Sequence, residues 1–316
     1  MATVIAQHDR TFGEVEDWGI SDVVSQLRLL RNESLVSRRR VGKPVLLPSR
    51  NALSSIVDDL SRALFPNRLG SHLLASDCVD FYVGNKLDVA LRELSNQALV
   101  ELQFTSGNEF ATDEQRSAVI SIVQQFARSL PKVRSLLETD ILAAYDGDAA
   151  ARSVDEVLAC YPGIVAIISH RLAHELYVLR LPLVARMIAE ISHSATGIDI
   201  HPGAKIGDGF FIDHGTGVVI GETAVIGRRV KIHHGVTLGA KDFQFDDREE
   251  MRGKGRHPIV EEDVVIYAGA TILGRVTIGR GSVIGGNVWL TKSVPPETLV
   301  SQAHALSESY DEGAGI

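Results

Sequence analysis

An α-helical domain followed by a parallel β-helix of hexapeptide repeats, an α + β chain, is the fold class this sequence predicts, and three observations predict it. The first is a period of six. Aliphatic residues fall at Ile200, Ile206 and Ile212, at Ile220, Ile226, Ile232 and Leu238, and at Val260, Ile266, Ile272, Ile278, Ile284 and Leu290. The second is what surrounds them: Gly often follows the aliphatic, as in Ile206-Gly207 and Ile226-Gly227, and position five is small or branched, as with Ala204, Ala224 and Ala270. Period six is neither helical nor a plain alternation, and it suits a coil whose three six-residue sides make one turn, with aliphatics stacked turn on turn. The third is helical periodicity, with caps and breakers, across residues 21–195.

Taken in order, residues 1–20 lack periodicity and are expected to be a flexible arm. Ser21-Asp22 caps a helix carrying Val23, Val24, Leu27, Leu29 and Leu30, and Ser49 precedes a second through Leu53, Ile56, Leu60 and Leu64, ended by Pro66-Asn67. A third runs from Leu87 to Leu102. Thr112-Asp113-Glu114-Gln115 opens a fourth, expected to end near Pro131 because proline removes a helix donor. Ser153 caps the next, Tyr161-Pro162-Gly163 breaks the chain, helix resumes at Ile164, and Pro182 starts a last helix to about Ser192. The coil is expected over 196–295, with a charged excursion loop at 240–257 and a polar tail at 296–316. Loops on a rigid scaffold are where sites are usually built.

At 316 residues the chain has room for about two domains. A net charge of −8 argues against nucleic acid as a partner, since neutralising phosphates needs a basic face. Cys78 and Cys160 stand far apart without metal or redox spacing, and read as buried thiols in a reducing compartment. Neither a signal peptide nor a run of about 18 apolar residues is present, so the expectation is a cytoplasmic protein without a membrane partner.

Histidine and acid density peaks inside the repeat, at Asp199, His201, Asp213, His214, His233, His234, Arg256 and His257. Strand alternation would send the neighbours Asp213 and His214 to opposite faces. His170 and His174 lie four apart on one helical face, with no third ligand at metal-site spacing, and are read as packing residues or as supports behind a site.

The segments Asp199-Ile200-His201-Pro202, Asp213-His214-Gly215-Thr216-Gly217, Ile220-Gly221-Glu222-Thr223-Ala224, Val236-Thr237-Leu238-Gly239 and Arg256-His257-Pro258 closely resemble the serine O-acetyltransferase family of hexapeptide-repeat acyltransferases. The match continues through Tyr267-Ala268-Gly269-Ala270 to Val294-Pro295-Pro296, and covers about half of the chain. The resemblance implies a left-handed coil and transfer of acetyl from acetyl-CoA to L-serine, giving O-acetyl-L-serine and CoA in the first step of cysteine biosynthesis. It makes His214 the general base and Asp199 the carboxylate that orients it. Asp148 and Asp213 would hold the substrate ammonium, Arg256 would clamp its carboxylate, and His257 would line the same pocket. Main chain near Gly239, Ala240 and Ala268 would contact the coenzyme between subunits, and no metal is implied.

Further expectations follow from the same resemblance: a trimer or dimer of trimers, L-cysteine as feedback inhibitor, and docking of Ile316 into O-acetylserine sulfhydrylase. The sequence departs from the family at Ala149, where Pro is common, in a longer excursion, and in its first 140 or so residues. Competing readings are another hydroxyl acceptor such as homoserine or a sugar, a metal-dependent hydratase using His201, His233 and His234, and a scaffold without catalysis.

Overall fold

The computed structural model describes residues 18–37, 46–70, 78–107, 110–241 and 254–302. Two compact units divide the chain, Met1–Leu46 and Leu47–Ile316. The first contains α1 (Ile20–Ser37), whose Ile20, Val23, Val24, Leu27 and Leu30 are exposed. The second contains the remaining helices together with the coil. The change from helices to coil expected near residue 195 falls between Thr196 and Asp199, inside the second unit.

Helix α2 (Arg50–Leu64) starts where the Ser49 hydroxyl accepts the Ala52 N–H, and its buried Leu53, Ile56 and Leu60 recur at helical spacing. A single turn, α3 (Pro66–Leu69), follows, then α4 (Val79–Ser106) and α5 (Asp113–Gly147). Thr112 and Gln115 form a reciprocal capping box at the start of α5. Pro131 does not end this helix, contrary to expectation. An interior proline costs about 3 kcal/mol. Burial of Phe126, Leu130, Val133, Leu137 and Ile141 on both sides of it offsets that, at roughly 1.5–3 kcal/mol for each large apolar side chain.

Ser153 caps α6 (Val154–Cys160), and α7 (Pro162–Val178) and α8 (Pro182–Thr196) follow, each with proline in its first turn. No side chain of its own caps α8; the buried Glu101 of α4 accepts the Leu183 and Val184 N–H groups at 2.8 and 2.7 Å. Both cysteines are exposed, not buried as expected: Cys78 is the residue before α4 and Cys160 the last of α6.

Every strand pairing is parallel. The first sheet stacks β1 (Asp199–Ile200), β4 (Val219–Ile220), β7 (Thr237–Gly239), β10 (Thr271–Leu273) and β13 (Trp289–Leu290). The second stacks β2 (Lys205–Ile206), β5 (Val225–Ile226), β8 (Ile259–Val260) and β11 (Thr277–Ile278), and the third β3 (Phe211–Asp213), β6 (Lys231–His233), β9 (Val265–Ile266), β12 (Val283–Ile284) and β14 (Leu299–Val300). Each turn of chain visits the three in that order, which makes a three-sided solenoid. The period-six aliphatics are its inner columns: Ile200 registers with Ile220, Ile220 with Leu238, Leu238 with Ile272 and Ile272 with Leu290. β14 pairs with β12, so the coil extends into the segment expected to be tail. The expected arm up to residue 17, most of the excursion (242–253) and the tail from 303, with Ile316, lie outside the described residues.

The helices bear on the lower end of the coil. α5 and α7 contact β3, and α8 contacts β1. At the centre of this seam the Arg171 guanidinium of α7 donates to both oxygens of Asp140 of α5 at 2.7 and 2.8 Å, and to the Ile206 and Gly207 carbonyls at 3.1 and 2.7 Å. Asp140 also accepts the Phe210 N–H at 2.9 Å, so the buried pair has its hydrogen bonds met on both sides. Among the described residues no single helix is long and apolar enough to cross a membrane.

Candidate active site

The solenoid has three corners, and the candidate residues gather at two of them. The corner between third and first sheets carries Asp213, His214, His234 and Ala268. The corner between first and second carries His201, Glu222, Gly239 and Ala240, then Arg256 and His257 just before β8.

At the first corner β3 ends in a three-residue turn, in which the Gly215 N–H donates to the Asp213 carbonyl at 2.7 Å with His214 at its centre. His214 has φ 58°, a left-handed conformation that costs a non-glycine residue of order 1–2 kcal/mol. Gly215 follows at φ 91°, where a Cβ would lie 2.4 Å from Ile198 Cδ1, so only glycine fits. This turn corrects the expectation from strand alternation. Because the left-handed residue interrupts the pleat, Asp213 and His214 meet, with His214 Nε2 3.8 Å from Asp213 Oδ1. The imidazole is well exposed and stands edge-on to His234, ring centres 6.0 Å apart.

Asp148, just beyond α5, joins this corner. Its carboxylate accepts the Tyr161 hydroxyl at 2.5 Å and the Ala150 N–H at 2.9 Å. The Tyr161 hydrogen bond is the main cause holding the Asp148 carboxyl below its usual range, and the same bond pushes Tyr161 up to about 12. Lys231 of β6 donates to the Gly147 carbonyl at 2.8 Å and lies 3.1 Å from Asp213 Oδ2. His233 comes within 3.3 Å of the same oxygen and stacks on Tyr267 at 4.9 Å. Burial pushes His233 below its ordinary value, more strongly than Asp213 raises it.

At the other corner Arg256 pairs with Glu222, and the Tyr177 hydroxyl of α7 donates to the second Glu222 oxygen at 2.8 Å. His257 is buried. Its Nδ1 accepts from the Thr223 N–H at 3.1 Å and therefore from the Thr223 hydroxyl at 2.9 Å, which leaves the proton on Nε2. Burial first, and the Arg256 charge next, push His257 down to about 4, so it is neutral throughout the physiological range. Gly221 makes room for this ring, since a Cβ there would sit 1.9 Å from His257 Cδ2.

The expected residues thus separate into two lobes on one chain: His214, Asp213, Asp148 and Ala268 at one corner, Arg256, His257, Gly239 and Ala240 at the other. Asp199 opens β1 on the face between them. Its ion contact is with Arg186 at 3.9 Å, and among the described residues no ion pair joins it to His214. His201 lies a corner away from His233 and His234, and no group of three or more His, Cys, Asp or Glu is placed to hold a metal among the described residues. His174 donates Nδ1–H to the Pro202 carbonyl at 2.8 Å, a packing role for the helical pair.

Sequence reasoning assigned nothing to Tyr161, Lys231, Tyr177 or Glu222. Glu222 and Thr223 fall inside the motif Ile220-Gly221-Glu222-Thr223-Ala224, which is their signal; Tyr161 and Lys231 give none, because their partners are remote in sequence.

Comparisons with known proteins give the family. The family model described as bacterial transferase hexapeptide (six repeats) matches residues 257–292. A "Serine acetyltransferase, plasmid" of Synechococcus elongatus is 50% identical over 305 residues, 95% of each chain. A serine acetyltransferase of Mycobacterium tuberculosis is 50% identical over 161 residues, 51% of this chain and 67% of that one. Among solved structures, serine acetyltransferase isoform 3 of Entamoeba histolytica in complex with cysteine is similar with a TM-score of 0.70 and 33% identity, over 86% of this chain and 87% of that one. The Neisseria gonorrhoeae serine acetyltransferase in complex with serine gives 0.52 and 28% over 81% and 96%. Identity at this level over nearly the whole chain, on a coil whose corners carry the motifs described above, means that the protein belongs to the serine acetyltransferase family and is an acyltransferase.

Proposed function

We infer that the chain transfers the acetyl group of acetyl-CoA to the side-chain hydroxyl of L-serine, in one direct step, and that each site is built from two copies of the chain. The observation that carries this is the separation of the candidate residues between two corners of one coil. Asp148 and Asp213, with Lys231 beside them, gather around an exposed histidine at one, and Arg256, paired with Glu222, stands at the other. A serine molecule needs both signs at a fixed short separation, and a closed ring of identical coils brings unlike corners of neighbours together. A trimer is the smallest such ring, and two trimers joined through their helical parts would make a hexamer.

In this reading the unprotonated His214 imidazole takes the serine hydroxyl proton as the oxygen attacks the thioester carbonyl. The carbon–sulfur bond then breaks, and the CoA thiolate leaves with the proton from the imidazolium. Asp199 orients the imidazole. Asp148 and Asp213 hold the ammonium; Arg256 holds the carboxylate, with the neutral His257 beside it. The coenzyme runs along the seam, where Gly239 and Ala240 of one copy and Ala268 of the next let its pantetheine arm approach the backbone. Support comes from the relatives crystallised with serine and with cysteine. Cysteine, one atom different from serine, competes for the same lobes and so limits the pathway from its end product.

The test is acceptor-dependent release of free thiol from acetyl-CoA, with L-serine, L-homoserine and no acceptor in parallel. Release that requires L-serine is expected. Equal or faster release with homoserine would move the substrate assignment, and no release with either would remove the reading.

A further inference from the structure

Lys231 is a cation inside the cluster of carboxylates that the proposed function gives to the substrate ammonium. It lies opposite Phe211 in register, and its Nζ sits 4.8 Å over that ring. The side chain then reaches the acid lobe, 3.1 Å from Asp213 Oδ2 and 2.8 Å from the carbonyl of Gly147, the residue before Asp148. Lys231 and Asp213 are both largely buried, with side-chain exposures of 25% and 17%, so solvent screens this contact less than a surface pair. His233 Nδ1 lies 3.3 Å from the same Asp213 oxygen. Two carboxylates therefore face one fixed ammonium, and the charge left for an incoming cation is one unit smaller than the pair Asp148 and Asp213 would offer alone.

We propose that Lys231 is an affinity-setting residue of the acceptor subsite that weakens the acid lobe's hold on amino-acid ammonium groups, by occupying Asp213 with an ammonium of the chain's own. The inference rests on the acceptor reading above. Serine and cysteine carry the same ammonium, so Lys231 raises the working concentration of the substrate and of the inhibitor by the same factor. The device tunes sensitivity to cysteine without touching the hydroxyl or thiol that distinguishes the two ligands. Acetyl-CoA has no ammonium to place there, and its KM is independent of Lys231.

The experiment compares Lys231→Gln, Lys231→Met and Lys231→Arg in the full-length enzyme. Glutamine keeps a donor for the Gly147 carbonyl without the charge, methionine loses both, and arginine keeps the charge. Removing a unit charge a few ångströms from a partly screened cation subsite is expected to lower the serine KM and the half-inhibiting cysteine concentration together, by about fivefold in the Gln and Met variants. The Arg variant and every acetyl-CoA KM should stay at native values. A Gln variant with native serine KM, or a Met variant whose serine KM rises, overturns the proposal, since Lys231 would then be only a brace for the end of α5. Asp213→Asn separates this from the reading beneath it. That variant should raise the serine KM by more than about tenfold, and a native value there removes the acceptor reading and the proposal together.

Discussion

His214 combines a left-handed backbone with a well-exposed imidazole. The strained turn lifts the ring out of the strand pleat and brings it over Asp213, where a hydroxyl acceptor held by carboxylates would present its proton. His214→Ala should therefore lower kcat by about 10²–10⁴-fold with a small change in serine KM, measured by steady-state thiol release. His257 has a different task. Its folded value of about 4 lies below the ordinary 6.5, so the neutral ring contributes stability that is present above 6.5 and lost as pH falls toward 4. Thermal unfolding followed from pH 7 to 4 should fall less steeply in His257→Asn than in the native protein; an equal slope would show that burial of this ring does not drive acid lability.

At the scale of elements, the coil was legible and the seam was not. Each hexapeptide touches only its neighbours, so the positions of Ile200, Ile220, Leu238 and Ile272 in sequence state their register directly. Pro131 does not stop α5 because the local proline rule is outweighed by burial of Phe126, Leu130, Val133, Leu137 and Ile141 on both sides of it. The Asp140–Arg171 bolt between α5, α7 and the β2–β3 turn left no mark, since its partners lie 31 to 36 residues apart. Arg171→Met leaves Asp140 buried beside it without its cation, and should cost about 3–5 kcal/mol in denaturant unfolding. A cost below about 1 kcal/mol would mean that the helices and coil hold together by apolar contact alone.

For the whole molecule, motifs identified by resemblance located the candidate residues but not their grouping, because a repeat says nothing about which corner of which copy its residues will face. The fold distributes them between two corners, and the functional account depends on those corners meeting across neighbouring chains. Coexpression of His214→Ala and Arg256→Ala chains tests this most directly. If the base comes from one copy and the clamp from the next, random mixing leaves about one site in four with both intact. Mixed oligomers should then regain about a quarter of native thiol release with L-serine, although each variant alone is nearly inactive. Mixed oligomers no more active than the separate variants would contradict the account, and would place base and clamp in a site formed within a single chain.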